Sequence, residues 1–185
     1  MRHIVFILFF FISKLVLAQY LDLNVLTGAV AHVGNGTIIE NATIIISNGK
    51  IKDIGHSDTI TFNMEQSRVF KLHGKHVYPA LILPNTTLGL VEIDAVRASR
   101  DEREVGKLNS NVRSQIAYNV ESTVISTVRN NGILLAQVTP RGGLIGGTSS
   151  VMALYGNNWQ DATYFKDDGL HIYWPETFPK NIWVH

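Results

Sequence analysis

Two apolar runs, at residues 78–83 and 133–138, bracket a stretch in which Val112, Ile116, Val120, Val124 and Val128 recur every four residues. Each run has the length and composition of a buried strand, the first introduced by Gly74 and ended by Pro84. The repeat, widened by Ala117 and Ile125, is the apolar stripe of an amphipathic helix. Ser110 or Asn111 is placed to cap the start of that helix, and Asn130-Asn131-Gly132 to end it in a left-handed conformation. Strand, helix, strand in this order implies a parallel pair with a right-handed crossover. Both strand ends then reach the same edge of the sheet, the edge where α/β folds carry ligands. The segments 85–92 and 139–150 are therefore expected to be neighbours.

The chain before residue 73 has a different rhythm. Short β-type runs at 28–33, 42–47, 50–54 and 68–72 are separated by Gly, Asn and Asp. Asn48-Gly49 marks a two-residue hairpin, because both central residues of a type I′ turn need positive φ. Gly34-Asn35-Gly36 and Gly55-His56-Ser57-Asp58 mark further turns. The pattern predicts a small antiparallel sheet.

Ahead of both regions, Met1-Arg2-His3, the apolar residues 4–12 and Val16-Leu17-Ala18 have the layout of a secretory leader cleaved before Gln19. Its apolar core is too short to span a bilayer, so no stable membrane anchor is expected. The sequence holds no cysteine. That excludes a lipid-anchored cysteine and a disulfide framework, and it fits a bacterial periplasm better than a eukaryotic exterior. Sixteen basic and fifteen acidic residues nearly cancel and form no basic stripe, which argues against nucleic acid as a partner.

Residues 79–92, Pro-Ala-Leu-Ile-Leu-Pro-Asn-Thr-Thr-Leu-Gly-Leu-Val-Glu, resemble the first barrel strand and loop of the amidohydrolase superfamily, which usually reads Pro-Gly-Phe-Ile-Asp-x-His-x-His-Leu-Gly-Leu. The resemblance, to imidazolonepropionase-like members, extends to Leu26-Thr27-Gly28-Ala29, to residues 44–51, to residues 73–79, and to residues 131–143 with Gly146-Gly147-Thr148-Ser149. It implies a β-sandwich lobe at 19–75 after a leader at 1–18. It also implies the opening βαβ of a TIM-like (β/α)8 barrel at 76–185, incomplete at this length because a closed barrel takes about 250 residues. The remainder of that barrel is the implied partner of residues 76–185. The resemblance further implies hydrolysis of non-peptide C–N bonds in cyclic or linear amides. The family's two metal-binding histidines fall on Asn85 and Thr87, an amide and a hydroxyl that are poor substitutes for imidazole at a transition-metal centre. Ala80 and Leu83 also depart from the pattern. No cofactor is therefore expected in this chain, and zinc or a similar ion only if a complete protein supplies other ligands. Residues 1–185 alone are expected to catalyse nothing. A non-catalytic ligand-binding or scaffold protein on the same frame is the alternative, and an all-β secreted module a third reading that the helical stripe argues against.

The candidate ligand edge comprises Asn85, Thr87, Thr139, Arg141, Gly142 and Gly143. Arg141 is singled out because its planar fork suits a carboxylate or phosphate on a small-molecule ligand. Residues 142–149 have the glycine spacing of a phosphate loop with Thr148 where lysine belongs, and they read instead as a flexible loop at that edge. Glu92 and Asp94 follow the altered motif, residues 101–107 are a mixed-charge surface segment, and the aromatic residues from Trp159 onward read as packing. His73 and His76, three apart but without helical context, read as exposed or capping imidazoles. His32, His56 and His171 stand alone in the sequence.

Overall fold

A computed structural model describes residues 23–174, so the leader at 1–18 and the aromatic tail beyond Trp174 lie outside the described residues. The chain is rich in sheet and poor in helix, and it divides into two compact units on either side of Pro79 and Ala80.

The first unit is built from β1 (Leu23–His32), β2 (Ile38–Ser47), β3 (Lys50–His56), β4 (Ser67–Lys71) and β5 (His76–Val77). They form one five-stranded sheet in the order β3-β2-β1-β4, with β5 also pairing with β1. Asn48 and Gly49 take φ values of 51° and 69°, the pair of positive angles that the β2–β3 hairpin requires. The sheet is mixed rather than antiparallel, because β4 and β5 both run parallel to β1. The cause is the excursion of residues 57–66, which is long enough to carry the chain past β2 and β1 to the far edge. Ala42, Thr43, Ile44 and Ile45 are buried in succession on β2. Neighbouring strand residues face opposite ways, so both faces are covered there and the unit is sandwich-like.

The second unit contains β6 (Leu81–Thr86), β7 (Ile133–Val138), β8 (Ile145–Ala153) and β9 (Thr163–Ile172), in the order β6-β7-β8-β9. β6 and β7 are parallel, and the connection between them carries α1 (Thr123–Asn130). After β7 the chain turns straight back, so β8 and β9 add in antiparallel fashion. A short α2 (Trp159–Ala162) precedes β9. Leu88, Leu90, Tyr118, Ile125, Ala136, Val138, Met152 and Leu154 form the core of this unit on its helix-bearing face.

Three further sequence expectations change. The strand expected at 78–83 begins instead at Leu81 and runs through Pro84 to Thr86. It is the edge strand of its sheet, with Leu81 and Ile82 each 61% exposed. An edge position is where a residue without an N–H is tolerated. The helix expected over 112–128 is reduced to a 3-10 turn at Ser114–Ala117 and α1. The intervening backbone spends its polar groups on other elements: Asn119 N–H on the Gly89 carbonyl (2.9 Å) and the Val112 carbonyl on Thr148 N–H (2.8 Å). The Ser114 hydroxyl likewise reaches the Val138 carbonyl at 2.7 Å. Ala117, Val120 and Val128 still pack on the core, so the stripe marks burial correctly while overstating helix.

The third change concerns residues 142–149, which are a strand start rather than a flexible loop. Parallel bridges join Arg103 to Arg141, Leu108 to Ile145 and Arg113 to Thr148, laying residues 103–113 along this stretch as a strap. Close approach requires glycine here: a Cβ at Gly142 would lie 2.7 Å from Arg103 Cγ, and one at Gly147 would lie 2.7 Å from the Val112 carbonyl oxygen.

Candidate functional site

Asn85 sits near the end of β6 with φ 49°, a left-handed angle that asparagine tolerates better than most residues. That backbone kink exposes its main-chain carbonyl beside its side chain, and Arg141 grips both. Arg141 Nη1 donates to Asn85 Oδ1 and Nη2 donates to the Asn85 carbonyl, each at 2.7 Å. Tyr173 closes the far side, with its hydroxyl donating to the Pro140 carbonyl at 2.6 Å and lying 3.4 Å from Arg141 Nη1. Thr139 N–H binds the Thr86 carbonyl at 2.8 Å, which ties the two parallel strand ends together. Asn85, Thr139 and Arg141 thus lie at one edge.

Thr87 heads a different feature, a turn closed by Leu90 N–H onto the Thr87 carbonyl (2.9 Å) that buries Leu88 and Leu90. Gly142 and Gly143 take φ values of 86° and 69° beside Arg141, but the N–H groups that follow are occupied. Leu144 and Ile145 both donate to the Lys107 carbonyl, at 2.7 and 2.9 Å, and Thr148 donates to Val112. The strap thus takes the N–H groups of Leu144, Ile145 and Thr148 away from any phosphate. Glu92 is also engaged elsewhere, accepting from Ser122 Oγ (2.9 Å) and Asn119 Nδ2 (3.3 Å) at the entry to α1, while Asp94 lies 3.5 Å from Arg100.

A second set of side chains extends from the same asparagine. Asn85 N–H donates to Gln137 Oε1 at 3.1 Å, and Gln137 Nε2 donates to Asp168 Oδ2 at 2.6 Å. The other oxygen of Asp168 accepts the Ser149 hydroxyl at 2.5 Å, and His171 Nε2 lies 2.7 Å from that hydroxyl. A serine hydroxyl has one hydrogen, and this one goes to Asp168. His171 Nε2 is therefore the donor to Ser149, the reverse of the polarity that a base activating a nucleophile needs. Ser149 is also fully buried. Burial pushes the His171 pKa down, with Asp168 opposing and Arg141 adding to the effect, which favours the neutral ring. The trio is built to orient the strand end.

Gln137, Ser149, Asp168, His171 and Tyr173 were not among the expected site residues. Gln137 had a legible signal, since it is the one polar residue within β7 (Ile133–Val138). His171 finds its partner only because β8 and β9 pair antiparallel, setting it opposite Gly147 and two residues from Ser149.

The fit to a divalent metal fails at this edge. The Asn85 side-chain oxygen already accepts from a guanidinium, and a fixed positive charge beside it repels a cation. Among the described residues, no group of three or more His, Asp or Glu side chains is placed to share a metal ion.

No protein-family model matches the chain, and no curated protein matches it in sequence. Among solved structures, an amidohydrolase from Thermotoga maritima MSB8 is similar at a TM-score of 0.73 and 17% identity, over 83% of this chain. The chain thus has an amidohydrolase-like fold, and it spans 39% of that structure's length. A prolidase complexed with n-methylphosphonate-l-proline matches 39% of this chain and 17% of its own, at 16% identity and a TM-score of 0.33, too slight a likeness to carry an argument.

Proposed function

We propose that this chain is the amino-terminal part of an exported amidohydrolase-like protein in which the first metal-binding position has become a metal-free binding edge. On this reading, the β lobe is followed by the opening strands of a (β/α) barrel that further chain completes. Residues 1–185 position a small polar ligand and do not themselves hydrolyse C–N bonds. The observation that carries the reading is the double clamp of Arg141 on Asn85, at the position where the resemblance implies a histidine on a metal. The clamp puts a permanent cation where a metal-activated hydroxide would have to form, and such a hydroxide needs the metal to lower the pKa of its water.

The complete protein, as its gene encodes it, is the material for the test. Expected are no turnover of cyclic or linear amides in the presence of zinc, iron or manganese, and none of these metals retained at stoichiometric level. Metal-dependent turnover that survives with Asn85 and Thr87 in place would overturn the reading.

One observation favours a second reading, an active hydrolase with a rebuilt site. Asp168 and His171 are joined to Asn85 through Gln137, so groups able to move protons lie within the same network. That reading requires turnover that is lost in both Asp168→Asn and His171→Asn.

A further inference from the structure

The first unit carries a feature that the strand-end site does not use. His32 Nε2 and His76 Nδ1 lie 2.9 Å apart in an exposed position, although the residues are 44 apart in sequence. β5 places them there. Its two residues pair in parallel with β1, His76 opposite Val30, and Val30 N–H is fixed on the Lys75 carbonyl at 2.9 Å. Alternation along β1 puts His32 on the same face as Val30, so both imidazoles rise from one side of the sheet. The Tyr78 ring lies against His32 with centroids 4.2 Å apart and planes 11° from parallel. It also stacks more distantly on His76, at 6.2 Å. The phenol thus supports the His32 imidazole on one face.

We propose that His32 and His76 form a two-imidazole site for a tetragonal divalent ion, copper(II) or nickel(II), with the remaining positions open to water or a small external ligand. The argument is geometric. Two nitrogens each about 2.0–2.1 Å from one ion and held 2.9 Å apart subtend about 90° at the ion. That is the angle between neighbouring ligands in a square or octahedral sphere, the geometry that copper(II) and nickel(II) favour. A tetrahedral ion would require the nitrogens about 3.3 Å apart, further than they stand here, which sets zinc at a disadvantage. Binding requires the donor ring to carry its proton on its other nitrogen and each ring to turn its free nitrogen toward an ion beside the line that joins them, while the nitrogen separation already present is kept. Imidazole is well suited to these ions, and β-sheet pairing has already met the cost of bringing the two rings together.

The test is a copper(II) titration of the full chain, free of any affinity tag and carrying His3→Ala, because a free amino terminus with histidine in third place would itself take copper. One equivalent is expected to bind, with electron paramagnetic resonance showing two imidazole nitrogens and zinc competing poorly. His32→Gln and His76→Gln should each weaken binding about tenfold or more, a loss at the scale felt even from outer partners of metal ligands. His73→Ala and Tyr78→Phe should leave it unchanged. Unfolding midpoints of the glutamine variants matching the parent would show that the sheet is intact. No copper bound by the parent, or equal affinity in the glutamine variants, would overturn the site.

Discussion

Arg141 holds Asn85 by its side chain and its main chain at once, two hydrogen bonds of 2.7 Å from the two terminal nitrogens of one guanidinium. Lysine reproduces the charge but not the fork. Arg141→Lys is expected to lower stability by about 1 kcal/mol, the ordinary net worth of one such bond in a partly exposed setting. Asn85→Asp should raise stability, because a carboxylate strengthens both the geometry and the charge of the pair. Urea unfolding of the two variants measures both effects, and a loss of stability in Asn85→Asp would show that the clamp does not govern this edge.

Ser149 stands between Asp168 and His171 and is fully buried. Removing its hydroxyl takes one partner from each neighbour without opening a path for water. Ser149→Ala should cost about 1–3 kcal/mol, the range for a buried polar group left short of a bond. Chemical denaturation reads this directly, and a neutral result would mean that Asp168 and His171 are satisfied without it.

The lowered pKa of His171 predicts a pH dependence. In the folded chain burial holds it below its ordinary 6.5, so the unfolded state takes up a proton first as the solution is acidified. The associated stability is present above 6.5 and is lost as pH falls through that value toward the folded one. The urea midpoint of the parent should fall between about pH 7 and pH 5, and His171→Asn should flatten that part of the curve. A variant that keeps the parent's full slope would place the pH dependence elsewhere.

Tyr118 offers the opposite case. It is 4% exposed, its hydroxyl has no hydrogen-bond partner among the described residues, and burial pushes its pKa up to about 12. Deleting an unpaired buried hydroxyl while keeping the ring removes a desolvation cost and little else. Tyr118→Phe should therefore be neutral or stabilise the chain by up to about 1 kcal/mol. Thermal unfolding that moves downward instead would reveal a bond to the tyrosine that this conformation does not contain.

What was legible in the sequence follows the range of the interactions involved. Asn48-Gly49 and the apolar run of β7 carry their conformations locally, and both appear where expected. The parallel pairing of β6 and β7 followed from element order. The split of the helix at Tyr118 did not, because its cause is tertiary: Gly89 and Thr148 take the backbone groups that a helix would have used. The candidate site divides in the same way. Asn85, Thr139 and Arg141 meet because two parallel strands end together. Asp168, Ser149 and His171 meet because β9 folds back on β8, and no local pattern announces that return. The neighbouring imidazoles of His32 and His76 were hidden for the same reason, with spacing in the chain saying nothing about register across a sheet.

The glycines at the start of β8 bear on how freely this sequence can change. The strap of residues 103–113 is held there by main-chain bridges, and main-chain atoms are common to every residue type. Its mixed charges can drift over generations without moving the strap, whereas Gly143 and Gly147 cannot gain even a methyl group without pressing on the strap's own carbonyls, those of Lys107 and Val112. In a catalogue of tolerated substitutions, the charged strap should look permissive and the plain glycines beneath it strict, the inverse of what side-chain chemistry alone would suggest.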